Sequence, residues 1–148
     1  MFKQIVTGTN GTARAREAVA VAAEMAATHG AQLHLVRAFR GASAVAGAMV
    51  AAEVMSTALM VDRDIEREVG HDLDNLAAEL RERGIDVKTH SICSTAVDAL
   101  LKVAEAESAD LIVVGDKGMH GPHRVLGSIP NSVAHHASCA VMIVPTAS

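Results

Sequence analysis

The sequence VVGDKGMHGPHRVLGSIPNSVAHH, residues 113–136, contains an apolar strand-like segment, a glycine-rich stretch and the start of a helix at Ser128. Gly115, Gly118 and Gly127 allow the backbone to approach a ligand closely, because glycine carries no Cβ. The free N–H groups of a helix that begins after Ser128 would face an anion with the positive end of the helix dipole. The stretch therefore predicts a site that holds phosphate.

Four side chains within this stretch add positive or titratable groups: Lys117, His120, His123 and Arg124. An inward-facing Arg124 could form charge-assisted hydrogen bonds to a phosphate. The alternative is that all four are solvated loop residues. We expect the ligand contacts to come mainly from the backbone N–H groups and less from these side chains.

The composition excludes several classes of protein. A chain of 148 residues predicts one domain, residues 1–148. The net charge of −4, with interspersed charges and few aromatic residues, argues against a nucleic-acid-binding protein. Two unpatterned cysteines and the lack of an N-terminal signal pattern predict a cytoplasmic protein. Residues 42–61 are nearly all apolar, but Glu53 in their midst argues against a membrane helix and favours a mobile or partner-covered helix.

Strand-like and helix-like patterns alternate along the whole chain. Strands are predicted at residues 3–7, 32–38, 86–92, 110–114 and 140–144, and helices at residues 13–29, about 65–80, 95–107 and 129–137. This alternation predicts an α/β fold in which five parallel strands carry helices on both faces of the sheet. Ligands bind such sheets beyond the carboxyl ends of the strands, so residues 8–12 should lie beside residues 115–128.

Three other features suggest chemistry, and each has a simpler explanation. His135 and Cys139 have a spacing that suits zinc, but no CxxC or HExxH motif accompanies them, so we predict no metal site. Cys93 precedes a helix start that could activate its thiol, although a small buried residue is the interpretation we favour. Ser128 lacks a GxSxG motif, so we interpret it as a helix cap and phosphate donor and predict no catalytic residue.

Four segments carry a resemblance to a known family: IVTGTNGT (residues 5–12), ADLIVVGDKG (residues 109–118), LGSIPNSV (residues 126–133) and VMIVP (residues 141–145). Through them the chain resembles the universal stress protein family over essentially its whole length. The resemblance implies a Rossmann-like, adenine-nucleotide-binding fold whose five-stranded parallel sheet has the order 3-2-1-4-5. It also implies a dimer formed through the last strand and, in one branch of the family, bound ATP.

The resemblance also implies which residues bind the nucleotide. Gly8, Thr9 and Asn10 match the first-loop positions, and Ala38 matches the adenine-side position after the second strand. The positions that match the phosphate-binding loop are Val114, Gly115, Gly118, Gly127, Ser128 and Ile129. Two departures stand out. The family usually has Asp where this chain has Asn10, whose side-chain oxygen can still accept a hydrogen bond from the adenine amino group. Only eight residues separate Gly118 from Gly127, where nine are usual.

These observations lead to two functional hypotheses. The first is a stress-response sensor or regulator that binds an adenine nucleotide (ATP, AMP or cyclic AMP, with or without Mg²⁺) and has at most slow ATPase activity. The second is a dimeric protein-interaction module that has kept the fold and lost nucleotide binding. In both, we expect a homodimer through Ala140–Val144, because this apolar strand would otherwise be an exposed sheet edge.

Overall fold

A computed structural model describes residues 1–42, 51–117, 119 and 128–147 of the protein. The elements are β1 (Gln4–Gly8), α1 (Ala13–His29), β2 (Gln32–Phe39), α2 (Ala52–Glu82), β3 (Val87–Cys93), α3 (Ala96–Ala106), β4 (Leu111–Gly115), α4 (Ile129–His136) and β5 (Ala140–Val144). The strands form one sheet in the order β3-β2-β1-β4-β5, and every neighbouring pair is parallel. The predicted Rossmann-like α/β fold and its strand order are therefore confirmed.

Successive strand residues point to opposite faces of the sheet, and this alternation builds two separate cores. On one face, Ile5 and Leu33 belong to a core that includes buried residues of α1 and α2. On the other face, Val6 and Val36 belong to a core that includes buried residues of α3 and α4. Both faces of β1 and β4 are covered, which explains the uninterrupted apolar sequence of β4, residues 111–114.

The long helix α2 contains part of the apolar segment at residues 42–61. Residues 52–61 form its beginning, with Glu53 in the first turn, whereas residues 43–50 lie outside the described part of the chain. The predicted apolar stripe further along buries Val69, Leu73 and Leu80 against the sheet. Among the residues that the structure covers, no helix is both long enough and apolar enough to cross a membrane.

A carboxylate joins β1 to β4 at the amino-terminal edge of the sheet. Asp110, directly before β4, accepts hydrogen bonds from the backbone N–H groups of Lys3 (2.6 Å) and Gln4 (2.8 Å). The bond from Gln4, followed by that from Lys3, lowers the pKa of Asp110, and burial opposes this effect only in part. The ionised carboxylate therefore holds together the starts of two central strands.

Candidate functional site

A cavity of about 170 Å³ lies where the carboxyl ends of β1, β2 and β4 meet the start of α4. Because parallel strands end at the same edge, the loop after β1 and the segment after β4 face each other there. Seven of the predicted site residues line the cavity: Gly8, Thr9, Asn10, Ala38, Val114, Gly115 and Ile129. The structure thus places the predicted first-loop, adenine-side and phosphate-side positions around one space.

The remaining predicted residues fall into two groups. Ser128 is the N-cap of α4, but its hydroxyl makes no capping hydrogen bond. Gly118, Arg124 and Gly127 lie outside the described residues, so their part in the site stays a prediction. Pro130 in the first turn of α4 has no N–H group, which leaves this helix start fewer backbone donors than the sequence pattern suggested.

The loop after β1 is held by its own side chains. Asn10 Oδ1 accepts a hydrogen bond from the backbone N–H of Thr12 (3.1 Å) and another from the Thr12 hydroxyl (2.6 Å). The Thr12 Oγ1 in turn caps α1 by accepting from the N–H of Ala15. A carbonyl oxygen has two lone pairs, and Thr12 occupies both of those on Asn10 Oδ1. The adenine amino group, which we expected to donate to this oxygen, finds no free lone pair there. The Asn10 Nδ2 amide is the polar group that remains for a ligand.

Two glycines of the site provide room for protein side chains. A Cβ at Gly115 would lie 3.1 Å from Cγ2 of Thr146, and a Cβ at Gly8 would lie 3.3 Å from Cδ2 of Leu100. Distances this short require the neighbouring side chain to move. Close packing against Thr146 and Leu100 is therefore a reason for these glycines that the sequence pattern did not indicate.

Cationic side chains border the cavity, and carboxylates are absent from its described lining. Lys117, predicted as a candidate contact, lines the cavity together with Arg14 from the first turn of α1. Sequence reasoning missed Arg14, although its position just after the loop was a usable signal. It also missed Thr146, which follows β5 and reaches the site because Val144 pairs with Gly115. The charge of this lining suits an anion.

Asp116, the carboxylate of the segment after β4, has a structural role. Its side chain is buried, and Oδ1 accepts hydrogen bonds from the backbone N–H (3.0 Å) and the hydroxyl (2.8 Å) of Thr146. These bonds fasten the end of β4 to the chain that follows β5. Because the described cavity lining contributes no carboxylate, it does not fit a Mg²⁺ ion held by the protein.

A second, more open pocket of about 280 Å³ adjoins the first one. The two share Ala38, Ala96 and Ile129, and the second extends to Ser94 and Thr95 at the start of α3. Thr95 caps α3 as predicted, because its hydroxyl accepts from the N–H of Asp98. Cys93, just before this turn, is exposed, so the interpretation of a small buried residue was wrong.

The zinc-like spacing of His135 and Cys139 does not produce a cluster in the described structure. His135 is exposed. The Cys139 thiol is half-buried, and its pKa is raised mainly by this burial and further by the charge of Asp110. The ligating side chains that do meet in the described part of the chain are His34, His90 and Glu107, which sequence reasoning missed. A histidine in the middle of the apolar strand β2 was the available signal.

Comparisons with known proteins agree with this architecture. The profile of the universal stress protein family matches residues 1–145. A universal stress protein of Mycobacterium tuberculosis is 32% identical over 146 residues, which is 98% of this chain and 97% of the relative. One from Thermus aquaticus is 31% identical over 147 residues, covering 97% of this chain and 99% of the relative.

Solved structures give the same result. The crystal structure of a universal stress protein in complex with cAMP has a TM-score of 0.76 and 26% identity, and the match covers 99% of this chain and 98% of that one. An Archaeoglobus fulgidus universal stress protein in complex with dAMP has a TM-score of 0.62 at 20% identity over 95% of this chain and 96% of its own, a likeness of fold. The chain therefore belongs to the universal stress protein family.

Proposed function

We propose that the protein binds an adenine nucleotide in the cavity at the carboxyl edge of the sheet and acts as a sensor or regulator. The observation that carries the proposal is the meeting of Asn10, Ala38 and Ile129 around one space, since these residues come from three separate parts of the chain. A family relative with 26% identity whose structure contains cAMP supports the choice of ligand.

The lining suggests how a nucleotide would be oriented. Val36, Ala38 and Leu100 offer apolar surface suited to a purine ring. Lys117 and the first turn of α4 offer positive charge suited to phosphates. Under the proposal the base lies toward the β2 side and the phosphates lie between Lys117 and α4.

The same lining supports binding over hydrolysis. Its described residues include neither a carboxylate nor a histidine, the side chains that most often activate water. The described lining leaves a Mg²⁺ ion to be held by phosphate oxygens and water. We therefore expect nucleotide affinity to depend little on Mg²⁺ and ATP turnover to be slow at most.

Calorimetric titration tests the proposal directly. ATP, ADP, AMP and cyclic AMP are titrated into the protein, each in buffer with Mg²⁺ and again in EDTA. We expect at least one to bind with a stoichiometry of one per chain, and with affinities that agree within about threefold between the two buffers. Silence of all four ligands at millimolar concentration would overturn the proposal.

The hydrogen bonds of Asn10 favour a second candidate, a dimeric interaction module without nucleotide. With Oδ1 used by Thr12, the amide that faces a ligand is a donor, and a donor cannot pair with the adenine amino group. The cavity is also smaller than the roughly 300 Å³ at the lower end of ordinary ligand pockets.

The substitution Asn10→Asp separates the two candidates. It keeps an oxygen for Thr12 and supplies a second oxygen that can accept from adenine. Under the nucleotide-binding proposal the native protein already binds an adenine nucleotide, and it releases this nucleotide when it is denatured. Under the second candidate, native protein is empty and silent in titration, whereas Asn10→Asp gains binding.

A further inference from the structure

Two histidines and a glutamate meet near the amino-terminal end of the sheet, the end opposite the nucleotide cavity. His34 lies in β2, His90 lies in β3, and Glu107 is the C-cap residue of α3. His90 pairs with Val36, two residues beyond His34, so both imidazoles stand on the sheet face that α3 covers. One ligating atom from each of the three residues lies within 4.8 Å of the others.

The hydrogen bonds of His34 fix its orientation and its tautomer. His34 is completely buried, its Nε2 lies 2.6 Å from Gln4 Oε1, and its Nδ1 lies 3.0 Å from His90 Nε2. An amide oxygen only accepts, so the proton of a neutral His34 is on Nε2 and the lone pair of Nδ1 faces His90. Histidines that ligate metals typically donate their second N–H to such an oxygen.

The surroundings favour the neutral form of both imidazoles, which is the form that ligates metal. Burial lowers the pKa of His34 and of His90 and outweighs the opposing charge of Glu107. Lys88 lowers both pKa values further, and Asp86 raises that of His34. The carboxylate of Glu107 adds the negative charge that a cation site needs.

We propose that His34 Nδ1, His90 Nε2 and a carboxylate oxygen of Glu107 form a binding site for a divalent transition-metal ion, Zn²⁺ above all, with Gln4 orienting the His34 ring. Two imidazole nitrogens and one carboxylate oxygen are a common zinc ligand set, and bonds of about 2.1 Å place tetrahedral ligand atoms about 3.4 Å apart. His34 Nδ1 and His90 Nε2, which are 3.0 Å apart, would have to separate slightly. The Glu107 carboxylate, whose ligating oxygen is within 4.8 Å of both nitrogens, would have to move inward. His90 Nε2 must lose its proton to water before it can ligate the metal, and the Nδ1 atom of the same ring takes up a proton from water, so the imidazole stays neutral.

Lys88 competes with the metal for Glu107. Its Nζ lies 3.4 Å from Oε2 of the half-buried Glu107, an ion pair that a metal must break or displace. Removal of this ammonium group also removes a positive charge next to the site. Lys88→Gln should therefore bind Zn²⁺ about fivefold more tightly than the native protein.

The test is titration of the metal-free full chain with Zn²⁺, followed by calorimetry and by the ring-nitrogen chemical shifts of the histidines. We expect one equivalent to bind and to shift Nδ1 of His34 and Nε2 of His90. His90→Gln and Glu107→Gln should each weaken binding by about 100-fold or more, since loss of a second-shell partner alone costs 10–100-fold. The matched control is His71→Gln, which removes an exposed histidine of α2 and should change nothing.

Thermal unfolding without metal first establishes that each variant is folded. His34 is not substituted, because it is completely buried and therefore also contributes to the stability of the fold. Unshifted ring nitrogens of His34 and His90 at saturating Zn²⁺ would overturn the proposal. So would equal affinity in the native protein and either ligand variant, or a loss of binding in His71→Gln. Tighter binding by Lys88→Gln together with weaker binding by Glu107→Gln supports it.

Discussion

Lys117 is an exposed cation at the rim of the cavity, next to the end of β4. If it pairs with a nucleotide phosphate, Lys117→Met removes one charge-assisted hydrogen bond and should weaken ATP binding about tenfold. The measurement is the dissociation constant by calorimetry. Lys102→Met, which removes an exposed lysine of α3, is the matched control and should leave the constant unchanged. Equal affinities for the Lys117 variant and the native protein would contradict this assignment.

Gly115 depends on the size of the side chain beside it. A Cβ 3.1 Å from Cγ2 of Thr146 is too close, so Gly115→Ala should lower the free energy of unfolding by about 1–2 kcal/mol. Thr146→Ser removes that methyl group and keeps the hydroxyl that bonds Asp116. In a double-mutant cycle by urea denaturation, Gly115→Ala should therefore cost less in a chain that already carries Thr146→Ser. Strictly additive effects would contradict the contact.

At the scale of elements, Asp110 makes the β1–β4 junction sensitive to acid. Its pKa is lowered in the folded state, so its stabilisation is complete above the unfolded pKa of about 4 and disappears as pH falls through the folded pKa. Asp110→Asn should lower stability by about 1 kcal/mol at neutral pH. The two proteins should then converge in urea denaturation as the pH falls below about 4 and through the folded pKa of Asp110. A difference that stays constant with pH would contradict this role.

Local signals predicted the elements well and their edges less well. Helix α1 begins and ends where predicted because Thr12 caps it and Gly30, with a φ of 64°, ends it. The predicted β1, residues 3–7, is displaced by one residue from Gln4–Gly8, since a strand's limits depend on the partner strands with which it pairs. Local sequence contains no information about that register.

The same distinction applies to the site. Ala38 was predicted through family resemblance, and the structure places it beside the first loop. Thr146 could not be predicted, because only the pairing of β5 with β4 brings it to the cavity. The cluster of His34, His90 and Glu107 likewise needs three elements in a fixed register, which no spacing along the chain reveals.

At the scale of the whole molecule, β5 is an edge strand and remains our predicted dimer contact. Ala140 N–H and Val144 C=O bond toward β4, so by alternation the N–H of Val141 points to the open edge. Val141→Pro removes that donor without breaking the β4 ladder and should produce a monomer. Sedimentation at micromolar concentration measures this, with Val141→Thr as the control that keeps the N–H. A native protein that sediments as a monomer would contradict the prediction.

The exposed thiol of Cys93 has a practical consequence. It directly precedes Ser94 and Thr95, which line the second pocket, whereas the other cysteine, Cys139, is half-buried with a raised pKa. Thiolate is the reactive form, so a maleimide dye at neutral pH should couple to Cys93 first. The native chain thus provides its own attachment point for a fluorophore, one residue away from the lining of the second pocket, and we expect that a bound ligand can be followed optically without engineering a cysteine.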